Sequence, residues 1–170
     1  MKAKTSILAT TLAALLAATA ASAGDTVHNG AVATPANRIV GLWETVGAVR
    51  PCGSVLPTST VRNTLLFNAG GTVVENPRAA PNGTQLPSGL SQRTWGLGTW
   101  SYDPATALYT LHLRFDWYLD GVYNGYSTVD RELRFSADGM QVTGEVTSAR
   151  FAANGTPLSS VCGTAVSDRI

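Results

Sequence analysis

The chain is poor in the residues that build most active sites. It has two histidines, two cysteines and, apart from Lys2 and Lys4, no lysine. Charged residues make up only 14% of it. There is no metal-spaced cluster of His or Cys, no G-x-S-x-G nucleophile elbow and no phosphate loop of the G-x-x-x-x-G-K type. No basic run exists, which argues against nucleic acid and anionic membrane as partners. No sustained helical period follows residue 23. The 17 glycines and 8 prolines leave little room for a long helix. No cofactor, metal site or catalytic constellation is expected.

The first 23 residues read as a secretory signal. Lys2 and Lys4 form a positive n-region, Ile7 to Ala18 a short apolar stretch, and Ala21-Ser22-Ala23 a small-residue cleavage site. The apolar stretch is shorter than the roughly 20 residues a bilayer span requires. Removing 23 of the 170 residues leaves 147, enough for one domain with its own core. Without the two lysines, ten basic side chains remain, all arginine, against 11 acidic ones. Residues 24–37 are small and polar and are expected to form a flexible leader to a domain over 38–170. The expected location is periplasmic or secreted, with no membrane insertion.

Two cysteines in an exported chain point to one disulfide, Cys52–Cys162. It would make the first and last ordered elements neighbours.

Strand signals recur between turn signals. Runs are expected at 39–49, 60–67, 72–75, 95–102, 109–117, 126–135, 140–151 and about 157–166, with a long polar loop at 76–94. The clearest is "LYTLHLRFDWY". There Tyr109, Leu111, Leu113, Phe115 and Trp117 alternate with Thr110, His112, Arg114 and Asp116, giving one buried and one wet face. Asp120-Gly121 and Asn124-Gly125 are assigned to the following turn, and Asp138-Gly139 to a hairpin. Val129, Leu133 and Phe135 are expected on one face, with Asp130, Glu132 and Arg134 on the wet side. Met140, Val142 and Val146 are expected to share a face. About eight strands in sequential order expose two edges unless they close. The expected fold is therefore an all-β, single antiparallel, up-and-down barrel of about eight strands, with a β-sandwich as the alternative.

Three stretches resemble the calycin superfamily of lipocalin-like barrels. They are Gly41-Leu42-Trp43 in the first strand, "LLFNAGGTV" at 65–73, and Gly98-Thr99-Trp100-Ser101-Tyr102 followed by "LYTLHL". The resemblance covers about residues 38–166. It lacks the later T-D-Y motif and the C-terminal helix of the animal members. It implies that Gly41, Trp43 and Trp100 are structural, with Trp43 plugging the closed end of the barrel.

Three functions remain open on these residues. One is non-catalytic binding of a small apolar ligand by Leu65, Phe67, Tyr109, Leu111, Leu113 and Phe115, although the same six could simply fill a solid core. The second is a secreted protein-interaction module. Bacterial metalloprotease inhibitors resemble it in having a G-x-W strand followed by a cysteine, here Cys52. The third is an eight-stranded outer-membrane barrel, which usually ends in an aromatic residue where this chain ends in Ile170.

Overall fold

A computed structural model describes residues 34–56 and 58–170. The expected signal, His28 and most of the expected leader lie outside the described residues. The described chain folds into ten antiparallel strands: β1 (Gly41–Pro51), β2 (Ser59–Asn68), β3 (Thr72–Asn76), β4 (Thr84–Leu86), β5 (Gly89–Arg93), β6 (Gly96–Asp103), β7 (Leu108–Leu119), β8 (Val122–Phe135), β9 (Gln141–Phe151) and β10 (Pro157–Arg169). Eight of them, β1, β2, β3, β6, β7, β8, β9 and β10, pair in sequence order. The ring closes where β10 returns to β1, from Trp43↔Arg169 through Pro51↔Val161. The result is the expected closed, up-and-down barrel, which leaves no free edge around the ring.

Closure bends the strands, and glycines mark the tightest approaches. A Cβ on Gly98 would lie 1.9 Å from the His112 carbonyl oxygen, and one on Gly144 would lie 1.5 Å from that of Glu132. Neither neighbour is a side chain that could swing away, so these inward positions on β6 and β9 require glycine.

One end of the barrel is solid. A 3-10 turn, Ala36–Ile39, crosses it, so Ala36 and Asn37, at the end of the expected leader, belong to regular structure. Ile39, Trp43, Phe67, Val73, Trp100, Tyr109, Leu111, Leu133 and Val142 fill the space beneath it. Trp43 is fully buried, and its Nε1–H donates to the Ile39 carbonyl at 2.7 Å. The Tyr109 hydroxyl donates to the Pro35 carbonyl. The Arg169 guanidinium lies 4.3 Å over the Trp43 ring and donates to the Val40 carbonyl at 3.0 Å. Each buried polar tip thus finds a partner, as an aromatic plug requires.

The other end is open, and the chain treats it differently. Segment 76–94, expected as a loop, carries the β4–β5 hairpin. β5 continues the line of β6 along the same edge of β7: Arg93↔Trp117 and Leu97↔Arg114 differ by one residue in register. The exposed Trp95 sits at that step. Leu90 and Asp120 clamp the hairpin, with Leu90 N–H donating to Asp120 Oδ1 at 2.8 Å and Asp120 N–H to the Leu90 carbonyl at 2.9 Å. The sequence signal for this hairpin was weak because its strands are three and five residues long and mostly polar.

Two other expectations need correction. Asn124-Gly125 lies inside β8, because Asp120-Gly121 alone makes the turn. Met140 does not share the buried face of Val142 and Val146. It projects from the Asp138-Gly139 turn and is 53% exposed.

Cys52 and Cys162 are bonded, 110 residues apart, across the β1–β10 seam at the open end. This covalent tie is the chemistry of an oxidising compartment. The bridge spans most of the domain, so in the unfolded chain it removes much conformational freedom. Its removal by Cys52→Ala with Cys162→Ala lowers the unfolding free energy by about 2–4 kcal/mol in urea titration. An unchanged midpoint would show that strand pairing alone holds the seam.

Candidate functional site

The alternation of β-strands sends every second side chain into the barrel. Toward the closed end those side chains are aromatic and aliphatic. Toward the open end they enclose a cavity of about 290 Å³. The six inward residues singled out from sequence are all buried, but they divide between the two halves. Leu65, Leu113 and Phe115 line the cavity. Phe67, Tyr109 and Leu111 do not; the first two pack against Trp100, and all three belong to the core cluster of the plug, which Leu65 and Leu113 also join from the cavity side. Trp43 and Trp100 also belong to the plug, and the Trp100 indole donates to the Asn68 carbonyl at 3.0 Å. Gly41, at a φ of 132°, starts β1 just below it.

The cavity lining includes a polar layer. Glu75 on β3 is 3% exposed. Its carboxylate accepts from Asn63 Nδ2 on β2 at 2.8 Å and from Arg93 on β5 in a close ion pair. Gly96 faces Glu75 across the β3–β6 pairing, and a Cβ there would lie 2.6 Å from Glu75 Oε2, so the glycine makes room for the carboxylate. Arg93 lies with its guanidinium 3.4 Å over the Phe115 ring, and joins the β4–β5 hairpin to the barrel wall. On the other side, Arg131 of β8 is 5% exposed and donates to Ser167 Oγ of β10 at 3.3 Å. Ser167 in turn shares a hydrogen bond of 2.8 Å with Thr45.

Burial pushes the Arg131 guanidinium down to about 10, with the Glu75 charge opposing the shift. It therefore stays protonated at neutral pH. Burial also lowers Arg93, again opposed by Glu75. Two atoms of this layer have no partner: Arg131 Nε, a donor, and Asn63 Oδ1, an acceptor. The Asn63 orientation is fixed by chemistry, since turning the amide over would set its oxygen against the Glu75 carboxylate.

The wet outer face is as expected. His112 and Asp130 are both more than half exposed, and they meet at 2.6 Å because β7 and β8 pair them in register. Arg114 and Asp116 form a looser exposed pair at 3.4 Å. Among the described residues, no group of three or more His, Cys, Asp or Glu is placed to hold a metal ion.

No family model matches this chain, and no curated protein matches it. Among solved structures, the crystal structure of Rv2717c from M. tuberculosis aligns with 78% of this chain and 93% of its own, at 18% identity and a TM-score of 0.37.

Proposed function

We propose that this protein is an exported, calycin-like binding barrel that takes one small ligand, without chemistry, into the cavity at its open end. The observation that carries this reading is the division of the interior. Half of it is packed solid with aromatic and aliphatic residues, yet the other half keeps about 290 Å³, lined by apolar side chains and by buried polar ones. An eight-stranded barrel of this kind has room for side chains or for one small ligand. The outer face of β7 and β8 favours a barrel that stands in water: His112, Arg114, Asp130, Glu132 and Arg134 all project from it, although Leu42, Leu66 and Leu97 are exposed on β1, β2 and β6. A membrane barrel would carry an apolar band there. Export is supported by the signal-like N-terminus and by the disulfide.

Titration with 1-aminonaphthalene, a compact, uncharged fluorescent apolar probe, tests the reading. One saturable site is expected, and Val129→Trp, which puts a large ring into the cavity wall, should abolish most of the signal. No saturable uptake, or uptake unaffected by Val129→Trp, would remove the binding barrel from consideration.

A further inference from the structure

Resting on that reading, we infer that the ligand is a compact monocarboxylate, with its head beside Arg131 and its apolar tail along Leu65, Leu113 and Phe115.

Charge points to an anion. The polar layer buries two guanidinium groups, Arg93 and Arg131, against one carboxylate, Glu75. Glu75 is engaged by Arg93 and Asn63. Arg131 is left with a hydroxyl, that of Ser167, as its hydrogen-bond partner. A buried cation with no hydrogen-bonded counterion is expensive even with the Glu75 charge nearby, and a bound anion lowers the cost.

Hydrogen bonding points the same way. Arg131 Nε–H has no acceptor, and Arg131 lines the cavity. A carboxylate is the natural acceptor for a guanidinium edge. The buried layer carries one excess positive charge, and the exposed Arg62 adds a further one to the cavity lining, so the site favours an anionic head. The free Asn63 Oδ1, itself an acceptor, disfavours a head with additional anionic oxygens.

Size limits the ligand. Liquid water occupies about 30 Å³ per molecule, so a cavity of about 290 Å³ corresponds to roughly ten heavy atoms. Octanoate has that size.

Isothermal titration calorimetry with octanoate, octanol and octylamine tests the inference on the unaltered protein. Octanoate is expected to bind at least tenfold more tightly than octanol, and octylamine more weakly than either. Arg131→Met keeps the volume, removes the charge, and should bring octanoate to within threefold of octanol. Arg131→Lys, which keeps the charge but loses the Nε donor, should fall between them, and serves if the Met variant does not fold. Octanoate binding no tighter than octanol would overturn the carboxylate inference while leaving the binding barrel intact. A preference for octanoate that survives in both variants would overturn the role of Arg131. Failure of all three compounds and of the uncharged probe would overturn both readings together.

Discussion

Glu75→Ala should be among the most damaging single substitutions in this barrel, lowering the unfolding free energy by about 3–5 kcal/mol. Glu75 is almost fully buried and is the only carboxylate that the polar layer contains among the described residues. Its removal strands Arg93 in a largely dry site, takes the partner from Asn63 Nδ2, and deprives Arg131 of the nearest compensating charge. Urea titration measures the loss. Two comparisons show that the cost comes from the stranded charge. The exposed pair Arg78–Glu44 has a similarly short contact, 2.6 Å, but its side chains are 45% and 40% exposed. Glu44→Ala should cost under about 1 kcal/mol and less still in high salt. The Glu75→Ala loss should persist in salt. Replacing both partners, Glu75→Met with Arg93→Met, should recover the part of the loss due to Arg93, while Arg131 and Asn63 stay without Glu75. A single-variant loss below about 1 kcal/mol would show that water reaches this layer and that Arg93 and Arg131 need no counterion.

The barrel was legible in the sequence because alternation is a local signal. Tyr109, Leu111, Leu113 and Phe115 mark an inward face without reference to any other strand. The turn at Asp138-Gly139 is likewise local, and the two cysteines tie the seam. The polar layer was not read, although the same alternation contains it. Arg131 has the parity of Val129, Leu133 and Phe135; Glu75 has that of Val73; Asn63 has that of Leu65 and Phe67. A charged residue at an inward position is easily taken for an interruption of the pattern. Its meaning appears only when the strands are placed, since Glu75, Asn63 and Arg93 come from three strands up to 30 residues apart. The His112–Asp130 contact was invisible for the same reason, being set by cross-strand register and not by spacing along one strand.

The two halves of the interior should therefore answer differently to substitution, and Trp43 gives the test at the closed end. Trp43→Ala should cost about 3–5 kcal/mol, the usual range for emptying a buried aromatic site. The ring has no solvent exposure, packs edge-on against Phe135 at 5.7 Å between centroids, and supports the Arg169 guanidinium. Its indole also holds Ile39 of the 3-10 turn that closes this end. Trp43→Phe retains much of the volume and loses chiefly the hydrogen bond, for a cost nearer 1 kcal/mol beyond the difference in size. Trp95→Ala is the contrast: that ring is 59% exposed, and its removal should change stability by no more than about 0.5 kcal/mol. Because Trp43 does not line the cavity, Trp43→Phe should also leave octanoate affinity within twofold of the unaltered protein. A large loss of affinity with little loss of stability would assign Trp43 to the ligand, and the plug would have to be redrawn as part of the binding site.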